Sequence, residues 1–581
     1  MKKIAILIVA AFLLPLRLMS QGLHNEITVE HDVIPEQRDA VRLGFLPRIS
    51  LNPVQKSTLH YSRAGITTQV PPGFDILDPA AYGDTVYTSP WKGYVRAGIF
   101  PFMFNSSVSA GYRVIDNEKT HFGAWLQYDG TNYQRSYGKF QWADPVMMPD
   151  KKTSIKHNTI TLEGALLQKT GNASRFELDF GYTYANYNRP AIASYEAFNP
   201  VEITRDFIGQ GLNRFNVDAG WRAEVKNINF GIKAGLSRFA FTDAGIISSA
   251  RQNQWKGEAD ASVALDDKSK VKIAIDFSYL QNSQNAVENT FPSQDIATDI
   301  PLIEATPGAD TWLLRLKPSY ILTTDKTVFD AGVKIDFTHN AGKGLHIAPD
   351  VRFSINPKGI AGITLYAGGG EMQNSLAFVY DRITPYIPTY FTYSNAHLPI
   401  TFGADLRFGP VAGFYASVYG QYAKANDWLM PSFSDDYNFR LLETVNMSGL
   451  MVGAKLGYRY GKIAEAKASV EFSPRKFPTR GYYLWFDRAK MVVNGSLIIT
   501  PISPLDITVD YTLRTGRVVA SGDGFVDIGN MSDLAIGVTW RFNDRFSAFL
   551  RGENLLNGNY LQLGFVPSQG LNGLIGIAYK F

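Results

Sequence analysis

The sequence contains no cysteine, so neither a disulfide nor a lipid anchor attached through a thiol is available to it. It has little charge bias: 57 Lys and Arg stand against 53 Asp and Glu, which gives no case for a nucleic-acid partner. No P-loop and no dinucleotide fingerprint is present. The eight histidines, His24, His31, His60, His121, His157, His339, His346 and His397, are scattered, and none lies at close metal-ligand spacing. They read as isolated surface or lumen histidines, so neither metal nor cofactor is expected. No nucleophile and base stand out as a pair, so no catalytic residue and no enzymatic activity is expected either. Beyond the first residues, no apolar run approaches the roughly 20 residues that a membrane-crossing helix needs.

What is present begins with Met1-Lys-Lys and an apolar stretch from Ile4 to Leu14, followed by Ser20-Gln21. This is the order of a secretory signal peptide, residues 1–20, with cleavage after Ser20 or Gln21. Residues 21–91 carry Pro47, Pro53, Pro71, Pro72 and Pro79 in a polar context. Prolines at that density disfavour helix interiors and central strands. The segment is expected to be extended and irregular, periplasmic or lumenal.

From Lys92 to the end, windows of alternating character follow one another. Val271, Ile273, Ile275, Phe277 and Tyr279 alternate with Lys272, Ala274, Asp276 and Ser278. Leu505, Ile507, Val509, Tyr511 and Leu513 alternate with Asp506, Thr508, Asp510, Thr512 and Arg514. Period-two alternation places one face of a strand against an apolar phase and the other against a polar one. The polar faces are too charged for a packed soluble core and suit a wet lumen. Alternation alone does not say which face is inside, but length does. Windows of about 9–14 residues exceed ordinary soluble strands and match tilted membrane crossings.

Connections give the stronger argument. After even-numbered windows they are tight turns, such as Asp116-Asn-Glu-Lys119, Asp266-Asp-Lys268 and Asn543-Asp-Arg545. After odd-numbered windows they are mostly long, as at 131–153, 188–210, 282–307, 370–395 and 424–446. Long loops on one side and tight turns on the other are the asymmetry of an outer-membrane barrel. The windows number about 22, an even count as bacterial barrels require. The expected fold is therefore all-β: a transmembrane antiparallel barrel of about 22 strands over residues 92–581. The glycine run Ala367-Gly-Gly-Gly370 falls at a strand end, where glycine favours a bend. The last window closes the chain on Tyr579 and Phe581, the aromatic ending expected of a C-terminal assembly signal.

Arg545-Phe-Ser-Ala-Phe-Leu-Arg-Gly-Glu-Asn-Leu-Leu-Asn557, then Tyr560, Gly564, Pro567 and the final Gly-Ile-Ala-Tyr-Lys-Phe strand, resemble the C-terminal end of TonB-dependent receptors. The resemblance implies a 22-strand barrel in the outer membrane of a Gram-negative bacterium, energised to take up large or scarce ligands. Its partners would be outer-membrane lipids, the barrel-assembly machinery and TonB or other outer-membrane proteins. The sequence departs from that family in having no full plug domain: residues 21–91 are too short and lack βαβ organisation. Within them Ile27, Thr28 and Val29 form a candidate TonB box, a segment that would add to TonB as a strand.

The long loops hold aromatics that could contact a ligand or a partner protein: Tyr137, Trp142, Tyr386, Tyr390, Trp428 and Tyr437. Two functional readings stay open from sequence. One is ligand transport across the outer membrane; the other is a structural barrel subunit that scaffolds an outer-membrane complex.

Overall fold

The computed structural model describes residues 91–581, except for 101–104, 137–151, 172, 191–206, 244–248, 286–309, 341, 358, 384–394, 434–439, 477–482, 487–488, 522–523 and 562–567. The expected signal peptide 1–20, residues 21–90 of the N-terminal segment with Ile27, Thr28 and Val29, and the loop residues Tyr137, Trp142, Tyr386, Tyr390 and Tyr437 lie outside the described residues.

Twenty-two long strands form one closed antiparallel barrel. The first nine are β1 (Gly93–Phe100), β2 (Asn105–Asp116), β3 (Thr120–Ser136), β4 (Lys152–Lys169), β5 (Ser174–Pro190), β6 (Phe207–Val225), β7 (Ile228–Asp243), β8 (Ser249–Ala264) and β9 (Ser269–Asn285). Then come β10 (Thr311–Thr323), β11 (Thr327–His339), β12 (Leu345–Ile355), β13 (Ala361–Met372), β14 (Ala396–Val411), β15 (Phe414–Phe433) and β16 (Arg440–Tyr460). The last six are β17 (Ala464–Phe472), β18 (Met491–Ile502), β19 (Leu505–Thr515), β20 (Met531–Arg541), β21 (Phe546–Glu553) and β22 (Asn572–Lys580). Four shorter pieces, Arg475–Lys476, Tyr483–Phe486, Val518–Ser521 and Gly524–Asp527, belong to the loops. Three of them pair in series from the tip of β15 and extend the sheet beyond the rim.

Closure is made by β1 and β22, paired from Tyr94 opposite Lys580 to Ile99 opposite Ile575. Among the 22 barrel strands described, none is left with a free edge, as a hydrocarbon environment demands of every main-chain donor and acceptor. The C-terminal residue completes the seam. Lys92 N and Gly93 N donate to Phe581 O at 2.7 and 2.9 Å, and Phe581 N donates to Gly93 O at 3.0 Å. The Phe581 ring stacks beside Tyr112 and Tyr579 on the outer face.

The alternation resolves as a membrane barrel and not as a sandwich. On β12, Leu345 and Ile347 are 53% and 67% exposed, whereas Ala348 on the opposite face is 2% exposed. Large apolar side chains are likewise exposed along the other strands, among them Ile232, Ile273, Phe402 and Leu550, while Asp336, Glu371, Gln252 and Gln421 are buried. Apolar residues outside and polar residues inside invert the order of a water-soluble protein and fit a lipid belt around a wet lumen.

Three of the tight turns share one mechanism. Asn117 Oδ1 accepts from the Lys119 and Thr120 amides, Asp266 Oδ1 from Lys268 and Ser269, and Asn543 Oδ1 from Arg545 and Phe546. A short side-chain acceptor thus replaces the main-chain partner that the reversing strand cannot supply. The Lys268 amide, with Ser269, holds the Asp266 carboxyl below its usual range. At the opposite rim the strands run beyond the belt. β15 and β16 continue to Phe433 and start at Arg440, so the connection expected over 424–446 is largely strand.

Candidate lumenal site at the loop-bearing rim

Strand register brings five chemically active residues to one height on the inner wall. Arg315 on β10 lies opposite Asp336 on β11, and Asp336 lies opposite His346 on β12. Glu371 on β13 lies opposite His397 on β14. Arg315 Nε and NH2 donate to the two Asp336 oxygens at 2.6 and 2.9 Å, a bidentate pair whose carboxylate is 1% exposed.

That pair clamps the main chain of Glu371. Asp336 Oδ2 accepts from Glu371 N at 2.6 Å, and Arg315 NH2 donates to Glu371 O at 2.5 Å. So close an approach requires glycine next door. Gly370 has φ +115°, and a Cβ there would lie 2.9 Å from Asp336 Oδ2. The register shifts between Gly368 and Gly370, the bend that the glycine run led one to expect.

With its main chain held, Glu371 presents a carboxylate that is 1% exposed to two imidazoles. Glu371 Oε1 is 2.9 Å from His346 Nε2 and 2.8 Å from His397 Nδ1, and the two rings lie 4.0 Å apart between centroids. These histidines are scattered in sequence and not isolated in the fold, which brings both onto one carboxylate. The residues are 51 positions apart, and only the β12–β13–β14 register makes them neighbours. Alternation could have placed His346 on the inward face, but not at the height of His397.

Beyond Glu371 the chain turns inward instead of outward. Ser278 on β9 donates to Gln373 Oε1 at 2.6 Å. A helix, α1 (Leu376–Ile383), follows. Ser375 caps it, with Oγ accepting from Phe378 N at 3.1 Å, and Gln252 on β8 accepts from Leu376 N at 2.7 Å. Leu376 and Ala377 pack with Ala185, Tyr187, Leu212, Phe239 and Phe241 from the inner faces of β5, β6 and β7. Arg214 on β6 meets Asp381 at 2.8 Å. Residues 373–383 are therefore folded inward and anchored on the inner faces of β5 to β9. In sequence the connection after β13 read as an aromatic-rich loop, because eight helical residues inside a long connection leave too short a period to see.

Trp428, a candidate contact residue, is 5% exposed and packs with Ala396, Ala425, Met430 and Val445 in the wall of β14–β16. A separate recess of about 530 Å³ lies along the inner wall of β15–β21, lined by Lys455, Lys467, Asp510, Arg551 and Glu553 among polar neighbours.

The Asn-Leu-Leu-Asn…Tyr stretch near the C-terminus proves to be a structural corner. Asn554 and Asn557 have positive φ, and Asn554 exchanges hydrogen bonds with Gly558. Tyr560 donates to Asp533 Oδ2 at 3.1 Å, and Asn557 Oδ1 accepts from Leu571 N at 3.2 Å. Burial pushes the Tyr560 phenol well above its ordinary range. These contacts fix how the chain enters the closing strand.

No family model and no curated protein matches the chain. Solved structures do match. The siderophore receptor PirA from Acinetobacter baumannii aligns with a TM-score of 0.63 at 9% identity, over 85% of this chain and 81% of that one. The ferric enterobactin receptor PfeA from Pseudomonas aeruginosa, in complex with enterobactin, gives 0.62 at 9%, over 84% and 81%. The FrpB iron transporter from Neisseria meningitidis gives 0.62 at 11%, over 85% and 82%. At such identities the likeness is one of fold. In fold, the described chain is a closed 22-strand antiparallel barrel like those of these two receptors and this iron transporter.

Proposed function

We propose that this chain is an outer-membrane uptake receptor that admits a scarce ligand through the barrel lumen. The observation that carries the reading is the closed 22-strand barrel, alike in fold to two receptors and an iron transporter over about four-fifths of their lengths. The inward-folded segment 373–383 supports it further, since a barrel this wide needs a constriction to act selectively. Iron chelates are the first ligand class to test, because the three similar structures are a siderophore receptor, a ferric enterobactin receptor and an iron transporter. In this reading Ile27, Thr28 and Val29 add to TonB as a strand, which couples uptake to the inner membrane.

The test is growth in iron-limited medium on a panel of ferric chelates, comparing the parent strain, a deletion of this gene and a deletion of TonB. At least one chelate should support the parent and the complemented deletion while failing the deletion and the TonB-deficient strain. Equal growth of parent and gene deletion on every chelate contradicts the iron-uptake reading. Growth that needs this chain but not TonB removes the energised part alone.

A further inference from the structure

We propose that His346, Glu371 and His397 form a binding site for a divalent first-row transition-metal ion on the lumenal wall of the barrel. The donor atoms of the three residues lie within 4.8 Å of one another. Two imidazole nitrogens and one carboxylate oxygen suit zinc, nickel, cobalt or ferrous iron, and suit calcium or magnesium poorly.

Distances agree with that chemistry. A metal about 2.1 Å from each donor in tetrahedral geometry sets neighbouring donors about 3.4 Å apart. The two carboxylate–imidazole gaps are 2.9 and 2.8 Å, so side-chain rotations opening each by about half an ångström admit the ion. A second observation points the same way. Glu371 Oε1 and His397 Nδ1 are buried and close, yet they are not aligned for a hydrogen bond with each other or with any other group. Buried polar atoms are seldom left so, because an unsatisfied one costs about 1–3 kcal/mol. An ion between them satisfies both.

The site is also held in place. The Arg315–Asp336 pair fixes the Glu371 main chain at both its N–H and its C=O and neutralises the nearest other carboxylate. That leaves the Glu371 carboxylate facing the two imidazoles. His346 and His397 side chains keep 9% and 20% of their surface exposed on the inner face, which gives an ion a route in. Because Glu371 immediately precedes the inward-folded residues 373–383, bound metal would stiffen the root of that segment.

The experiment is cobalt and zinc binding to the full mature chain, refolded in detergent and checked by heat-shifted gel mobility. The same titrations are run on the His346→Ala/His397→Ala double variant and on Glu371→Gln. The wild type should bind one ion with visible cobalt absorption, and each variant should lose at least about 100-fold in affinity while keeping the gel shift. Wild-type protein that binds no ion overturns the proposal. So does an ion retained unchanged in the double variant, which would place it at other histidines. Should a variant fail to fold, X-ray absorption of the zinc-loaded wild type decides. Two imidazoles in the first shell support the site, and a shell of oxygens or of three or more imidazoles overturns it. The outcome is independent of iron uptake, since binding is read on purified protein.

Discussion

Asp336 shows how a single buried residue can hold a lumenal wall together. Its carboxylate receives Arg315 on two oxygens and the Glu371 amide, and it has almost no contact with solvent. Removing one member of such a pair leaves a buried charge without its partner, a loss of about 3–5 kcal/mol. Asp336→Asn is therefore expected to destabilise the barrel by that amount, read as a lower midpoint in urea unfolding followed by gel mobility. The Arg315→Met/Asp336→Leu double variant should recover part of the loss, but not all, because the Glu371 amide still lacks its acceptor. Equal stability of Asp336→Asn and wild type would show the pair to be solvated. In the sequence, Asp336 was visible only as one polar position among many alternating ones. Its importance comes from Arg315 and Glu371, one on a neighbouring strand and the other two strands along, and register is not written in any local pattern.

At the scale of elements, the strands were the legible part. Val271 to Tyr279 and Leu505 to Leu513 alternate because lipid tolerates no charge on one face, so the sequence shows the barrel one strand at a time. The tight turns were legible for the same local reason: Asp266 and Asn543 act on amides two and three residues ahead. Strand ends at the other rim were not. β15 and β16 extend past the lipid belt, where neither face is constrained and alternation fades. Helix α1 was hidden because tertiary contacts with Gln252, Leu212 and Phe239 hold it, and not its own eight residues. This predicts a separable element. Leu376→Ala should weaken docking of the segment by about 2–5 kcal/mol. Limited proteolysis should then cut within 373–383 faster than in wild type while the barrel keeps its heat-shifted mobility. Unchanged cleavage would mean that the segment is not held by that contact.

At the scale of the whole barrel, one seam decides whether 22 strands become a closed surface. β1 and β22 share only the pairs from Tyr94–Lys580 to Ile99–Ile575, and the Phe581 main chain adds three hydrogen bonds beyond them. Arg96 lies over the Phe549 ring at 3.8 Å just inside this seam. Deleting Phe581 removes the last main-chain bonds and the ring beside Tyr112. The fraction of chain that assembles into the heat-shifted form is expected to fall several-fold, with little effect on the chains that do close. Undiminished assembly would assign the seam to β1–β22 pairing alone.

Uptake through the lumen, the central claim, requires that the closed barrel offer a continuous aqueous path. Single-channel conductance in planar bilayers tests it most directly, using chain secreted without residues 21–91 so that the 22 strands are measured by themselves. Discrete, large steps are the result this account predicts, because a barrel of this strand number encloses a wide lumen. A heat-shifted, inserted barrel that stays silent would contradict it, and the lumenal wall would then be a scaffold without a passage.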